Sequence, residues 1–472
     1  MSEIEKSETK SEDSNKSSVP IEFVFPEEAE YFIQSIREFH IEDIGSNKWI
    51  DNHEIIIKLS QQAALEANQY REESIKEYLI IHGKLKMLVH EAFLIMIWKT
   101  KILPKLLDID PNPPASFLLY SILFHEASLI SLLEVALYHQ NGCESLGETA
   151  LDLTDYCALG ISQLIGLVSM GHHENSTEVS IDESILTEME RQKRDLLYKI
   201  GLRCISILNY LADKLNVLPL SVGSRMIFVH DIPCLLSDVL HLRPWLRKTN
   251  KGFEKFSEEK WKLVDSDDLL KVEKLEAQSW FCLRQLLFNQ NLMSSYEIND
   301  FRQRHLGKCQ GLLNETIVDQ LPPLAELKHH LATLQISKNV TSNKNKLNLI
   351  LEEIPQIQSK IYKKVEQAGG FTQIAAGQAE KIFLNKRDEI FELAKRLNMA
   401  YNTELLAKIE DIQNKNKETL PAEKGKCQNC KKKAEKKCAN CLTAFYCSRE
   451  CQVEHWSAHK SICLTQQKVA VK

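Results

Sequence analysis

Between Cys427 and Cys463, eight cysteine and histidine side chains fall at spacings that leave this segment few ways to fold. Cys427 with Cys430, and Cys438 with Cys441, are C-x-x-C pairs, which suit a tight knuckle with both sulfurs on one ion. Cys447 with Cys451, and His459 with Cys463, stand four apart, on one face of a helical turn. Tetrahedral zinc takes four ligands, so the set provides for two ions. Two sequential modules would need the pairs to fold separately across gaps of five to seven residues, which are too short. Interleaving removes the difficulty. Cys427, Cys430, Cys447 and Cys451 then hold one zinc, and Cys438, Cys441, His459 and Cys463 hold the other, in a cross-brace.

His455 is also four residues from both Cys451 and His459 and competes for the histidine position. His459 is preferred because His459-x3-Cys463 repeats the spacing of Cys447-x3-Cys451 and leaves no orphan ligand. The segment has few aliphatic residues, so metal binding, about 10 to 16 kcal/mol for structural zinc, has to supply its folding energy. A closed four-ligand site cannot activate water, which points to a structural and recognition role.

The run C-x2-C-x7-C-x2-C-x5-C-x3-C-x7-H-x3-C, with Phe445-Tyr446-Cys447 and Cys451-Gln452-x3-Trp456 inside it, resembles a MYND-type zinc finger. The resemblance implies binding of short proline-containing peptides through Gln452 and Trp456. Where some members carry a small hydroxyl residue after the third cysteine, this chain has Ala439. The rival reading of Trp456 is a core residue of the finger.

With 472 residues, the chain has room for two or three domains and a sizeable core. Charge divides unevenly: residues 421–472 carry 11 Lys or Arg against 4 Asp or Glu, leaving −13 of the total −6 on residues 1–420. A basic tail invites a nucleic-acid reading. However, seven thiolates and two zinc ions lower the finger to about +4, and acidic residues alternate with the lysines. Nucleic acid is therefore not expected as a partner, and the Lys431–Lys437 cluster reads as a solvated face. Cys143, Cys157, Cys204, Cys234, Cys282 and Cys309 lack ligand spacing and read as buried thiols in a reducing compartment. The first 20 residues are polar and charged, which predicts a disordered tail without a signal peptide. The apolar run Phe117 to Tyr138 contains His125, Glu126 and Glu134, so a core helix is expected and no membrane span.

From Pro26 onward the periodicity is helical, with Ala29, Phe32, Ile33 and Ile36 on one face. Further helices are predicted near 48–68, 71–82, 84–102, 115–140, 146–170, 184–216, 219–230, 232–242, 268–289, 295–305, 309–319 and 322–335. Breakers such as Gly83, Pro104 and Pro111 to Pro114 separate the early ones. Phe253-x2-Phe256 and Trp261-x-Leu263-Val264 suggest one short extended excursion. Many helices are apolar on more than one face, which predicts an all-α, armadillo-like stacked array over 21–335, with an irregular bundle as the alternative. A linker is expected at 336–346. Helices near 347–365, 371–398 and 402–417 read as a separate partner-binding segment, 347–418, ahead of the finger at 421–465.

His90-Glu91 and His125-Glu126 do not continue as H-E-x-x-H, because Leu94 and Leu129 occupy the second histidine position. No phosphate loop, dinucleotide fingerprint or nucleophile elbow is present, so no catalytic residue is assigned and His125 reads as a core histidine. A SET-class lysine methyltransferase with a MYND insertion is the enzymatic rival, but such a domain is β-rich, and this chain has 16 glycines, little strand pattern and a terminal finger.

Phe124 to Ser145, Leu151 to Cys157, Asp231 to Leu235 and Ile317 to Ala332 resemble the MYND-containing factors that preassemble axonemal dynein arms. That resemblance implies a non-enzymatic cytoplasmic scaffold or co-chaperone for motile cilia. Its implied partners are leucine-rich-repeat assembly factors, heat-shock chaperones, isomerase-type co-chaperones, and dynein heavy and intermediate chains. The implied location extends to centriolar satellites or the ciliary base. A MYND-containing transcriptional corepressor or chromatin adaptor is the alternative.

Overall fold

The computed structural model describes residues 23–336 without 70, 112, 114–115, 174–183, 258 and 295, then 353–380 and 387–401. Of the finger it describes 427–432, 434, 436–437, 444–456 and 459–460. The expected tail, the 336–346 linker beyond Ile336 and the helix near 402–417 lie outside the described residues. The chain forms two compact units, residues 1–401 and 402–472.

The first unit opens with α1 (Pro26–Ser35), α2 (Asn47–Asn68), α3 (Ser74–Ile81), α4 (Leu85–Lys101), α5 (Leu103–Ile109), α6 (Ser116–Leu137), α7 (Gln140–Leu146), α8 (Thr149–Ser169) and α9 (Ile185–Asp213). It continues through α10 (Leu220–Ser224), the π-helical turn Arg225–Val229, α11 (Ile232–Leu242), α12 (Ser266–Leu269), α13 (Lys274–Phe288), α14 (Gln290–Met293), α15 (Asp300–Leu312), α16 (Glu315–Gln320) and α17 (Ala325–Ile336). Several starts are set by capping side chains. Ser46 accepts the Trp49 amide at α2, Ser184 that of Thr187 at α9, and Asn299 that of Arg302 at α15.

The longer helices stack in two rows. One runs α2, α6, α9, α13; the other runs α4, α8, α11, α15, α17; and α4 on α6, α8 on α9 and α11 on α13 tie the rows together. The body is mostly helical, as apolar-all-round helices predict. It has no constant unit, since the members of the first row are 22, 22, 29 and 15 residues long. α8 and α9 approach closely through glycines: a Cβ on Gly201 would stand 2.6 Å from Leu164 Cβ, and one on Gly160 would stand 2.8 Å from Cys204 Sγ. α6 and α8 are long and apolar enough to cross a membrane, but most of each is buried in this core. All six scattered cysteines are buried free thiols.

Two features depart from expectation. The extended excursion is a meander of three antiparallel strands, β1 (Leu246–Thr249), β2 (Gly252–Ser257) and β3 (Lys260–Val264). Phe256 and Trp261 from neighbouring strands pack on Tyr198 of α9, at 5.6 and 6.1 Å between ring centroids. The second departure is the segment after the linker. α18 (Ile357–Gln367) packs on α4, α19 (Phe371–Gln378) on α5 and α20 (Arg387–Tyr401) on α2, so these helices belong to the body and not to a separate segment. Their apolar stripes bury Ile361, Val365, Ile374, Ala375, Leu397 and Ala400 against the N-terminal helices. Buried Gln378 fixes α19: it accepts from Trp98 Nε1 at 2.9 Å and donates to the Ile41 carbonyl at 2.9 Å.

The adjacent acid and histidine pairs of the sequence are spent on packing. Lys99, Glu126 and Tyr156 form a buried triad joining α4, α6 and α8, with the tyrosine hydroxyl donating to Glu126 at 2.7 Å. Beside it runs a chain of polar side chains. Trp49 Nε1 donates to Glu91 at 2.7 Å, Glu91 lies 3.4 Å from His125 Nε2, and His125 Nδ1 is 2.8 Å from His53 Nδ1. His53 Nε2 is 3.3 Å from the Tyr401 hydroxyl. Burial holds the His53 imidazole well below its ordinary range and takes His125 down to about 3. Burial raises Glu91 to about 7 despite the Trp49 hydrogen bond.

Candidate metal centre

The finger is built from backbone turns that bring sulfurs together. At the first knuckle the Lys431 amide donates to the Cys427 carbonyl at 2.9 Å and the Cys427 amide to the Lys432 carbonyl at 2.7 Å. Lys431 takes the left-handed conformation (φ 60°) that closes the turn. Strands β4 (Lys436–Lys437) and β5 (Phe445–Tyr446) pair antiparallel, and the Gln428 amide bonds the Phe445 carbonyl, laying the knuckle beside β5. β5 delivers Cys447 to the same point. Ser448 then starts a helical stretch over 449–456, its hydroxyl accepting the Cys451 amide at 3.4 Å and its carbonyl the Gln452 amide. One turn of that helix carries Cys451 back to Cys447.

The sulfurs of Cys427, Cys430, Cys447 and Cys451 all lie within 4.8 Å of one another, with Cys430 to Cys447 at 3.4 Å and Cys447 to Cys451 at 3.6 Å. Four thiolates about 2.3 Å from a tetrahedral zinc require sulfur separations close to these. Burial raises Cys427, but the amides of Cys430, Cys447 and Asn429 outweigh it and bring it to about 6. Cys447 goes up to about 12 because its proton bridges to Cys430 and Cys451. Four such crowded thiols can all ionise only around a positive charge, and a divalent ion supplies it. Zinc bound here would draw knuckle, strand and helix onto one point, which is a folding role.

Of the second expected set, His459 is buried, 6.0 Å from the Tyr446 ring centroid, while Cys438, Cys441 and Cys463 lie outside the described residues, as does Ala439. The competing His455 has its Nδ1 3.0 Å from the Tyr446 hydroxyl. Tyr446 is the fully buried core aromatic of the finger. Trp456, by contrast, is 38 % exposed and Gln452 half-buried, one helical turn apart, with Val453 at 67 % between them. Sequence reasoning left out the positioning hydrogen bond from Asn429 to Glu454 at 2.7 Å, which ties the knuckle to this helix; no spacing rule signals it.

Residues 427–463 match the family described as MYND finger. The chain is 52 % identical over 454 residues to "Zinc finger MYND domain-containing protein 10 homolog" of Drosophila melanogaster, an alignment that covers 94 % of this chain and 99 % of the relative. No solved structure matches the chain. Identity of this extent across body and finger alike places the chain in the family of that relative, the zinc finger MYND domain-containing protein 10 family.

Proposed function

We propose that this protein is a non-enzymatic scaffold or co-chaperone for the cytoplasmic preassembly of axonemal dynein arms in motile cilia. The observation that carries the binding half of this reading is the open face of the finger helix, where half-exposed Trp456 and Gln452 stand one turn apart beside exposed Val453. An indole there can cover a proline ring while the amide of Gln452 bonds a peptide backbone. Ser448 and the Cys447–Cys451 pair fix the helix, so the surface needs little ordering on binding. The client half is supported by the body segments Phe124 to Ser145 and Ile317 to Ala332, which resemble assembly factors of this kind, and by identity to the fly relative over nearly the whole chain.

In this reading two structural zincs fold the finger, the second held by Cys438, Cys441, His459 and Cys463. The partners are leucine-rich-repeat assembly factors, heat-shock chaperones with isomerase-type co-chaperones, and dynein heavy and intermediate chains. The site of action is the cytoplasm, extending to centriolar satellites or the ciliary base. Affinity purification from ciliating cells, comparing the full chain, a chain ending at Glu418 and Trp456→Ala, tests it. Chaperones and dynein chains should come down with the full chain, and the Trp456→Ala protein should lose its finger partner while keeping native zinc content and circular dichroism. Recovery of chromatin proteins in their place would favour a corepressor and sink the proposal.

A further inference from the structure

The four sulfur ligands clustered in the finger differ in how far solvent reaches them. Cys427 is fully buried, Cys447 and Cys451 are half-buried, and Cys430 is exposed. The backbone accounts for the contrast inside the knuckle. Bonds from the Cys427 amide to Lys432 and from the Lys431 amide to the Cys427 carbonyl hold that residue within the turn, whereas Cys430 stands at its open side. A reagent in solution therefore meets the cluster at Cys430 first.

A second sulfur is within reach of the first. Cys430 Sγ lies 3.4 Å from Cys447 Sγ. The two residues sit on adjoining backbone, since the Gln428 amide bonds the Phe445 carbonyl at 2.9 Å and Cys447 directly follows β5. Small side-chain rotations close such an approach to a disulfide bond of about 2.05 Å. An accessible thiolate beside a resolving cysteine is the arrangement that turns hydroperoxide attack into a disulfide. The six cysteines of the body, all buried, have no such exposure.

We propose that Cys430 is an oxidation site: a hydroperoxide converts the Cys430–Cys447 pair into a disulfide and so dismantles the first metal position. The Cys430 thiolate attacks the hydroperoxide, its sulfur takes the OH group as the O–O bond breaks, and the departing alkoxide or hydroxide takes a proton from water. The Cys447 thiolate then attacks the Cys430 sulfur, forms the S–S bond and expels hydroxide, which takes a second proton. Two thiolates lose two electrons in all, and one hydroperoxide gains them. Cys427 and Cys451 are left, two of the four ligands that a closed zinc site needs.

The effect at the finger's surface rests on the reading of Gln452 and Trp456 as partner-binding residues. The disulfide and the Gln428 bond keep knuckle and β5 together, whereas the helical stretch 449–456 loses its metal anchor at Cys451. Among the described residues it keeps the hydrogen bonds Asn429 to Glu454 and Tyr446 to His455, each weak beside a zinc ligand. Oxidation thus loosens the helix that carries Gln452 and Trp456 and leaves the strand beside it in place. A thiol reductant with zinc reverses the change.

The test treats the full-length, zinc-loaded protein with equimolar hydrogen peroxide. Dimedone, which traps sulfenic acids, should label Cys430; without dimedone, peptide mass mapping should find Cys430 joined to Cys447. A chromogenic chelator should register about one zinc released per chain at that stage, one for each four-ligand site. Oxidation that begins at Cys451 or at a body thiol, or a Cys427–Cys430 disulfide in place of Cys430–Cys447, overturns the proposal. Cys430→His keeps a zinc ligand and removes the thiolate, so its zinc should stay bound under the same peroxide, and release at the wild-type rate also overturns it. The wild-type mapping needs no variant and decides the site by itself. Binding of a fluorescent proline-containing peptide, lost with peroxide and regained with dithiothreitol and zinc, reads the surface effect separately. A Cys430–Cys447 disulfide with peptide binding intact upholds the oxidation site and counts against the Gln452 and Trp456 face.

Discussion

Cys451 holds two structural positions at once, as a metal-type ligand and as the third residue of a helix whose start Ser448 caps. Cys451→Ala should therefore lose zinc, helix and partner together, and metal analysis of the purified variant against wild type checks the first. Trp456, half-exposed, should separate these effects, losing its partner alone. The clustering of Cys427, Cys430, Cys447 and Cys451 was legible because chelation needs fixed residue types at fixed spacings. The same logic could not find Glu91, His53 and Tyr401, since their meeting is set by the packing of four helices and leaves no local pattern. Those buried groups carry a pH signature of their own. His53 and His125 have folded values below 6.5, so the stability they contribute is present above that pH and falls as acid protonates the unfolded chain first. Glu91 acts oppositely: its folded value of about 7 lies above 4.5, so its contribution is present below 4.5 and is lost as pH rises through 7. The share that His125 carries is isolated by comparison: between pH 6.5 and 4.5 the wild-type urea midpoint should fall with acid more steeply than that of His125→Gln, by up to about 1.4 kcal/mol per pH unit.

α8 and α9 cross where glycines replace side chains, and this makes Gly201 a case in which helix propensity and packing disagree. Alanine is favoured over glycine in a helix by about 1 kcal/mol, yet a Cβ here meets Leu164 Cβ at 2.6 Å and the Gly160 carbonyl at 3.0 Å. Backbone cannot yield as a flexible side chain does, so Gly201→Ala should be destabilising, by about 1 to 3 kcal/mol in a denaturant titration. At α19, Gln378→Ala would leave Trp98 Nε1 and the Ile41 carbonyl buried without partners, and a loss of roughly 2 to 4 kcal/mol is expected. Helix existence and type were readable from periodicity and breakers: α2, α4, α6 and α8 begin and end within three residues of expectation. What α18, α19 and α20 pack against was not, because an amphipathic stripe announces that a face is buried without naming the surface that buries it. The aromatic pattern around Phe253 and Trp261 marked β2 and β3, whereas β1, Leu-Arg-Lys-Thr, carries no alternation and became a strand by pairing with β2.

At the scale of the molecule the two units draw on different energies. The body buries a large apolar core, and the finger's hydrophobic core is four residues, Cys427, Ala434, Ala444 and Tyr446, among those described. A strong zinc chelator should therefore unfold the finger and leave the thermal transition of the body in place; calorimetry with and without chelator reads both, and a single transition that shifts as a whole would contradict this. The return of α20 onto α2 has a temporal consequence. His53 and Tyr401 are 348 residues apart in sequence, so the first helices of the body cannot be completed by their last neighbour while the chain is still being made. At about 5 to 20 residues per second, roughly 17 to 70 seconds pass between the synthesis of these two residues. Throughout that interval the apolar face of α2 awaits a helix that does not yet exist, and a nascent chain of this design remains a folding client until α20 has left the ribosome.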